Sequence, residues 1–280
     1  MTDERSVDVD AIVASIQESR KYRTTCEDTI RHLVLAELAH HKSVKDAVKA
    51  ARKKLHYVVA PYLGNPDYDA AEIVLQDAFQ SGHADLIRET CADIMESHAS
   101  TRERLSVVED FYSQVFAITG MPNTLLDLAC GLNPLSFPWM GLPISTRYHA
   151  FDIHERRVGF LNRYFLLQGL PPLAEVRDVL SRYPVRSADI ALILKEVHRF
   201  ERRQRGCSLP LLEALRVRYL VVSFPTRSLS KRRRLTGQYR RLFHSIIQGK
   251  PWNVTEIQFE SELVFCVDKA GVMLVPPNEG

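Results

Sequence analysis

The stretch Thr124-Leu-Leu-Asp-Leu-Ala-Cys-Gly-Leu-Asn-Pro134 decides the fold of this chain. Its first five residues form a short apolar run typical of a buried strand. The small residues Ala129 and Gly131 follow, and they let a ligand come close to the backbone. Asp127 is placed to meet a cationic amino group. Because doubly wound sheets bind ligands outside the carboxyl ends of their strands, this stretch predicts such a site.

Further short apolar runs alternate with helical segments downstream of this turn. They are Tyr148–Phe151, a run that includes Val176, Ile190–Leu194, Tyr219–Phe224, Val254–Phe259 and Leu263–Val267. Strand–helix alternation predicts an α/β fold, a doubly wound and mostly parallel sheet with helices on both faces. The last two runs lie close together and predict a hairpin, so the last strand should run antiparallel.

The part of the chain before the first strand shows apolar residues three and four positions apart, which predicts helices. The predicted helices are 9–20, 27–41, 43–60, 69–80, 84–97 and 101–118. Ser100 and Glu103 have the spacing of a capping box at the start of the last one. We therefore expect an all-helical N-terminal domain over residues 1–100 and a sheet domain over residues 101–280.

Carboxylates follow the first three predicted strands. Asp152 comes 21 positions after Gly131, a spacing that suits a ribose diol, and Asp178 could accept from an adenine amino group. Each Asp alone is better explained as a helix cap, but together with Asp127 they favour a nucleoside cofactor. The turn lacks the G-x-G-x-x-G pattern that a pyrophosphate requires. A cofactor without phosphate, such as S-adenosyl-L-methionine, fits better than a nicotinamide or a flavin.

The chain has 280 residues, a net charge of +3 and 45% hydrophobic residues, as expected for a folded protein. Its basic residues cluster in three places: 52–54, 231–234 with 240–241, and the group Arg199, Arg202, Arg203 and Arg205. Any one cluster could be a solvated helix face. The three together favour a polyanionic partner.

Other classes of protein are disfavoured by what the sequence lacks. The five cysteines are scattered without a C-x-x-C spacing, so we expect reduced thiols, no metal and a cytoplasmic location. The acidic N-terminus does not resemble a signal peptide, and no apolar run is long enough to span a bilayer. We expect no membrane partner.

From Asp127 to Pro134 the chain resembles motif I of the aminoglycoside-resistance 16S ribosomal RNA methyltransferases. Matching segments are 52–56 (Arg-Lys-Lys-Leu-His), 100–104 (Ser-Thr-Arg-Glu-Arg) and 222–225 (Val-Ser-Phe-Pro), so the resemblance extends over most of the chain. It implies a Rossmann-like class I methyltransferase with S-adenosyl-L-methionine as its cofactor. It also implies methylation of N7 of guanine 1405 in the decoding site, aminoglycoside resistance, and a helical domain that docks on the 30S subunit.

The same resemblance assigns roles to the cofactor site. Arg104 would bind the cofactor's carboxylate as a bidentate fork, although a surface ion pair with Glu103 or Asp110 is the alternative. Ala129 and Gly131 would offer backbone contacts, and Asp152 and Asp178 would contact the ribose and the adenine. Many methyltransferases have glycine where this chain has Ala129, which narrows the pocket slightly.

On the substrate side, N7 of guanine has an in-plane lone pair, so transfer requires alignment and charge complementarity rather than a general base. We expect the guanine to be flipped out of its helix. Lys195 would lie near the base or line the pocket, and Phe224 would stack on the base. The alternatives are a solvated lysine and a buried strand phenylalanine. The residues expected to contact phosphates are Arg52, Lys53, Lys54, Arg232, Arg233 and Arg234.

Two other functions stay open at this point. The chain could be a class I methyltransferase that acts on another RNA or on a small molecule, because fold does not choose substrate. It could also be a non-catalytic RNA-binding protein that has kept the fold, which the intact set of carboxylates disfavours. We expect it to act as a monomer on the 30S subunit and its 16S rRNA.

Overall fold

A computed structural model describes residues 7–59, 65–226 and 235–269. Seven strands form one sheet in the order β3-β2-β1-β4-β5-β7-β6. Their bounds are β1 (Thr124–Leu128), β2 (Arg147–Asp152), β3 (Ala174–Val176), β4 (Ser187–Leu194), β5 (Arg216–Pro225), β6 (Asn253–Gln258) and β7 (Glu262–Asp268). The order reverses between β1 and β4, which confirms the doubly wound sheet and places the switch point at the end of β1.

Strands β1 to β5 pair in parallel, and β7 runs antiparallel to both β5 and β6. The predicted closing hairpin and antiparallel last strand are therefore confirmed. Because β7 is antiparallel, its first residue, Glu262, pairs with Pro225 at the end of β5. The start of β7 thus lies at the edge of the sheet where β1 to β5 end, and we call this the carboxyl edge.

Twelve α-helices flank the sheet or precede it within the described residues. They are α1 (Val9–Gln17), α2 (Glu27–Leu38), α3 (Val44–Val59), α4 (Tyr68–Ser81), α5 (Ala84–Glu96), α6 (Ala99–Leu105), α7 (Val108–Thr119), α8 (Phe137–Met140), α9 (Glu155–Leu167), α10 (Val197–Arg203), α11 (Ser208–Ala214) and α12 (Thr236–Ile246). No helix in this part of the chain is both long and apolar enough to cross a membrane.

The two faces of the sheet bury alternate residues of each strand. Leu125 and Leu192 point to one face, where they pack with residues of α4, α5, α7, α8 and α9. Leu126 and Ile193 point to the other, which α10, α11 and α12 cover. Strands buried on both sides need near-continuous apolar sequence, which is what the central runs provide.

The predicted helices are confirmed in number and position except over 101–118, which forms two helices, α6 and α7. The chain leaves the helical region at Val107, whose φ is −133°. The predicted capping box is also wrong: α6 begins at Ala99 without a side-chain cap, and Glu103 instead pairs with Lys195. Apolar spacing continues across the break, so it gave no signal of it.

Hydrophobic packing separates the first three helices from the rest of the molecule. Residues of α1, α2 and α3, among them Ile30, Leu33 and Leu55, form a small core of their own. Helices α4, α5 and α7 instead contribute to the large core on the sheet. The domain boundary predicted at residue 100 stays a prediction, and the cores themselves divide between α3 and α4.

The turn between α1 and α2 joins the small core to the carboxyl edge. Cys26 N–H donates to the carbonyl of Ile153 at 2.7 Å, and Glu155 N–H donates to that of Thr24 at 2.9 Å. The two bonds surround an antiparallel bridge between Thr25 and His154. Backbone hydrogen bonds therefore hold the helical unit, residues 7–59, against the turn that follows β2.

The separate core generates a stability prediction. Leu33→Ala should destabilise the helical unit by about 2–5 kcal/mol, because it opens a cavity that the small core cannot refill. Native-state hydrogen exchange should show lost protection in α1–α3 and unchanged protection in β1 and β4. Leu35→Ala, at a position 50% exposed, is the control and should change neither. Equal loss of protection in β1 and β4 would show that the two cores unfold together.

Candidate functional site

The turn after β1 has an unusual backbone. Ala129 has φ +52° and Gly131 has φ +57°, so both lie in the left-handed region. Glycine adopts this conformation without strain, whereas alanine at position 129 is destabilised by about 1 kcal/mol. A Cβ on Gly131 would also come within 3.0 Å of the His98 ring. Positions 129 and 131 of this turn therefore favour residues with a small side chain or none.

Asp127 lies under this turn and is almost completely buried. Its Oδ2 accepts from Asn133 Nδ2 at 2.9 Å and from the Tyr148 hydroxyl at 2.7 Å. Its Oδ1 has no hydrogen-bond partner among the described residues. Burial raises the pKa of Asp127 to about 6, and the two hydrogen bonds only partly oppose that rise. This carboxylate can therefore accept a further donor, and a cation would suit it best.

Asp152 ends β2, and its acceptor positions are occupied. It accepts from the N–H groups of Gly131 at 3.0 Å and His154 at 2.8 Å, and from Arg157 Nη1 at 2.9 and 3.0 Å. Burial alone would raise the pKa of Asp152, but the Arg157 guanidinium more than offsets it, so the pKa is lowered. Arg157 is itself held by Asn65 and by the hydroxyl of Tyr68.

Asp178, after β3, is similarly paired. Its Oδ1 accepts from Leu180 N–H at 3.0 Å and its Oδ2 from Arg203 Nη2 at 2.5 Å. Burial opposes ionisation, but Arg203 lowers the pKa of Asp178. The three predicted carboxylates therefore converge at the carboxyl edge. Arginines pair with two of them, Asp152 and Asp178. Of the three, only Asp127 has an oxygen without a hydrogen-bond partner among the described residues.

Arg104 is fully buried at the same edge. Its Nε and Nη2 donate to the two oxygens of Glu262 at 3.0 and 2.7 Å, and its Nη1 donates to Asn133 Oδ1 at 2.7 Å. The alternative of a surface pair with Glu103 or Asp110 does not occur. The role of Arg104 toward a cofactor carboxylate stays a prediction, and a guanidinium still has two N–H groups beyond the three used here.

Lys195 follows β4 in a left-handed conformation, with φ +60°. Its side chain is 6% exposed, and its Nζ lies 2.8 Å from Glu103 Oε2 and 3.5 Å from Glu262 Oε2. Glu262 also accepts from the Ser223 hydroxyl. The alternative of a solvated lysine is therefore ruled out, and the ammonium lies in a buried cluster with Arg104. That position suits a residue that lines the pocket.

Phe224 is fully buried on the opposite face of the sheet. Its ring stacks on Tyr239 at 5.1 Å and meets Phe243 and Phe265 edge to face. This geometry does not support base stacking by Phe224, because its ring has no exposed face. His198 packs on Tyr239 at 5.0 Å, and burial lowers its pKa to about 4, so the imidazole is neutral.

The predicted phosphate contacts fall in two places. Arg232, Arg233 and Arg234 lie outside the described residues. Lys53 is exposed on α3, Arg52 donates to the carbonyl of Ser15 at 3.3 Å, and Lys54 lies 2.6 Å from buried Glu37.

The structure adds Lys49 and Lys45, one and two turns before Lys53 on the exposed side of α3. We call Lys45, Lys49 and Lys53 the lysine stripe. Of the other basic cluster, Arg203 is committed to Asp178 and Arg199 pairs with Glu196, while Arg202 and Arg205 are exposed.

A cavity of about 430 Å³ opens between the helical unit and the turn after β2. Its lining residues are Arg20, Lys21, Thr24, Thr25, Val59, Asn65, Ile153, His154 and Arg157. It adjoins Asp152 through Arg157 and is electropositive on its outer side. In the described part of the chain, no cluster of three His, Cys, Asp or Glu side chains could hold a metal ion.

Three residues of this site were not assigned a role from the sequence: Asn133, Arg157 and Glu262. Arg203 was counted in a basic cluster expected to favour a polyanion, whereas it pairs with Asp178. Asn133 belongs to the opening motif, but nothing in the motif shows which groups its amide joins. Glu262 starts a strand rather than ending one, so a search of strand ends passes over it. The antiparallel direction predicted for the last strand was the available signal.

Comparisons with known proteins identify the family of this chain. A family model described as ribosomal RNA methyltransferase (FmrO) matches residues 18–266. A 16S rRNA (guanine(1405)-N(7))-methyltransferase of Micromonospora echinospora is 34% identical over 265 residues, which cover 93% of this chain and 97% of the relative. A relative of the same name from Serratia marcescens is 30% identical over 266 residues, covering 95% of this chain and 100% of the relative.

Solved structures share the fold over nearly the whole chain. The 16S rRNA methyltransferase RmtF in complex with S-adenosyl-L-homocysteine has a TM-score of 0.77 at 29% identity and covers 96% of this chain and 99% of its own. The 16S rRNA methylase RmtB has a TM-score of 0.75 at 28% identity and covers 94% and 98%. The Rossmann-like methyltransferase fold with helices before it is thereby confirmed. By the extent of the family match and the coverage of its relatives, the chain belongs to the FmrO family of ribosomal RNA methyltransferases.

Proposed function

We propose that this protein methylates N7 of guanine 1405 of 16S rRNA within the 30S subunit, with S-adenosyl-L-methionine as methyl donor, and so confers aminoglycoside resistance. Two relatives that are 34% and 30% identical over almost the whole chain are named 16S rRNA (guanine(1405)-N(7))-methyltransferase. One observation on this molecule carries the proposal: Asp127 Oδ1 is buried without a hydrogen-bond partner among the described residues, and it lies beside a left-handed turn. We also propose a cytoplasmic monomer.

The residues present fit the cofactor. Asp127 Oδ1 offers an acceptor for the α-ammonium group, and the backbone of Ala129 and Gly131 would contact the ligand beside it. Asp152 and Asp178 would face the ribose and the adenine. Asp178 would accept from the amino group while it stays paired with Arg203. At Asp152 the ribose hydroxyls would displace a donor that occupies the carboxylate in this structure. Arg104 would bind the carboxylate through its two remaining N–H groups.

The cofactor, when bound, supplies a methyl group on a positively charged sulfur. The chain's own contribution is alignment and electrostatics, since the N7 lone pair attacks without losing a proton. The site agrees with this, because burial lowers the pKa of His198 to about 4, which makes its imidazole a weak base, and the ring packs on Tyr239. Lys195 pairs with Glu103 and Glu262 at the carboxyl edge, and we place it at the wall of the pocket beside the target base.

The helical unit would dock on the ribosomal RNA. The lysine stripe is exposed, regularly spaced and free of the structural duty that Lys54 has toward Glu37. Phosphate contacts of this kind orient an enzyme without reading sequence. We propose residues 7–59 as the docking unit, with Arg52 and Lys53 in the footprint, and Arg232, Arg233 and Arg234 as a second contact.

The direct test is methylation of 30S subunits that lack the modification, with cofactor carrying a labelled methyl group. We expect label in 16S rRNA and cleavage of the modified strand at guanine 1405 after borohydride and aniline treatment. Cells that express the protein should lose susceptibility to aminoglycosides, and Asp127→Asn should remain susceptible. Label at another nucleotide, or in another RNA or a small molecule, would contradict the proposal, and so would the absence of label.

The raised pKa of Asp127 predicts how cofactor affinity depends on pH. A bound ammonium group requires the carboxylate form, so affinity for S-adenosyl-L-homocysteine should be constant above about pH 6 and fall below it, by up to about tenfold per pH unit. Calorimetric titration between about pH 5 and pH 8 measures this. Asp127→Asn should bind more weakly, with a flat profile. A flat profile in the unmodified protein would show that Asp127 does not meet the ammonium group.

The docking unit predicts a salt-dependent effect. Lys49→Glu with Lys53→Glu should weaken 30S binding by about tenfold or more and make it less salt dependent, because phosphate contacts are lost. Arg147→Glu with Arg216→Glu is the matched control. It makes the same change of charge at the opposite edge of the sheet, where β2 and β5 begin and both side chains are exposed. Equal effects of the two pairs would point to net charge alone, and an unchanged 30S affinity would reject the footprint.

A further inference from the structure

The amide of Asn133 lies between a carboxylate and a guanidinium. Its Nδ2 donates to Asp127 Oδ2 at 2.9 Å, and its Oδ1 accepts from Arg104 Nη1 at 2.7 Å and from the Tyr112 hydroxyl at 2.8 Å. The side chain is buried, and its hydrogen-bond partners determine which way the amide points. A flipped amide would point its oxygen at the carboxylate and its N–H groups at the guanidinium.

The backbone of Asn133 is fixed as firmly as its side chain. Asn133 N–H donates to the carbonyl of Cys130 at 3.0 Å, and Asn133 opens a 3₁₀ turn in which Pro134 is the second residue. Proline fixes its own φ and restricts the residue before it. The backbone of Asn133 is therefore held by the left-handed turn that follows Asp127.

We infer that Asn133 is a positioning residue for the amino-acid end of the cofactor, because it sets Asp127 and Arg104 relative to each other. The inference rests on the proposed function. An amino acid has its ammonium and carboxylate on one carbon, so the groups that bind them must keep a fixed separation. Asp127 has one open oxygen, and Arg104 has N–H groups beyond those given to Glu262 and Asn133. A single amide that contacts both is the shortest link between them.

Glu262 completes the arrangement from the other side. It grips Arg104 through two bonds, so the guanidinium cannot turn toward Asp127 and form a direct pair with it. Asn133 would then act as a neutral spacer that keeps the two charges apart and available. This gives a physical reason for the Asn-Pro that follows Cys-Gly in the opening motif.

The test compares two ligands that differ only at the amino-acid end. S-adenosyl-L-homocysteine has that end, and 5′-methylthioadenosine lacks it. Asn133→Ala should weaken binding of S-adenosyl-L-homocysteine by about tenfold or more, because two charged groups lose their shared partner. Binding of 5′-methylthioadenosine, measured by the same calorimetric titration, should stay within about twofold. A purely structural role would weaken both ligands alike.

A second variant covers the case in which alanine prevents folding. Asn133→Asp keeps the shape and the acceptor for Arg104, but it places a carboxylate against Asp127, so it should again affect only S-adenosyl-L-homocysteine. Asn162→Ala is the matched control, since among the described residues this amide bonds only to the backbone of Ala174, at the start of β3. It should leave the ratio of the two affinities unchanged.

Two outcomes separate the inference from the proposed function. If the unmodified protein binds both ligands and the Asn133 variants weaken both equally or neither, the inference is wrong and the proposed cofactor stands. If the unmodified protein binds neither ligand, the proposed cofactor is wrong, and the positioning role falls with it.

Discussion

The structure depends on a guanidinium–carboxylate pair, Arg104 with Glu262, that is closed to solvent on both sides. Such a pair costs several kcal/mol of desolvation per ion and is tolerated only when geometry and hydrogen bonding are complete. Here they are complete, because Asn133, Ser223 and Lys195 supply the other contacts. The pair therefore ties α6, the start of β7, the turn after β1 and the end of β4 to one point.

This constraint explains why the carboxyl edge holds two kinds of carboxylate. Asp152 and Asp178 stay ionised because each has an arginine that offsets burial, and each can serve as a fixed acceptor. Asp127 has only neutral hydrogen-bond partners, because Arg104 donates to Glu262 and Asn133 instead. The charge of Arg104 only partly offsets burial, so the pKa of Asp127 stays raised, at about 6. A buried acceptor of this kind favours a cationic ligand, because only a cation repays its desolvation.

The sequence predicted the strands, the antiparallel direction of the last strand and the three carboxylates. These follow from the apolar runs and from the residues that end each run. It could not predict the partners of those carboxylates, because Arg157 and Arg203 reach them from helices whose packing the local pattern does not determine. The structure gives no support to base stacking by Phe224, and the cause is simpler. Side chains alternate along β5, so Ser223 faces the cluster of Lys195 and Glu262 while Phe224 must face the opposite core. Applying the two-residue alternation of a strand to β5 would have placed Ser223, rather than Phe224, on the face of the candidate site.

The substrate is a separate question from the chemistry, because the sheet with its cofactor edge is shared by methyltransferases of many substrates. What distinguishes this chain is a helical unit with its own core, joined to the sheet at the bridge between Thr25 and His154. His154 follows Asp152 by two residues and accepts from Arg157 N–H, so the joint lies directly beside the proposed ribose contact. An RNA bound by the lysine stripe would therefore be held at a fixed distance from the methyl donor. Selection of the target nucleotide then depends on where the docking unit places the RNA, which suits a reaction that asks only for alignment of a lone pair.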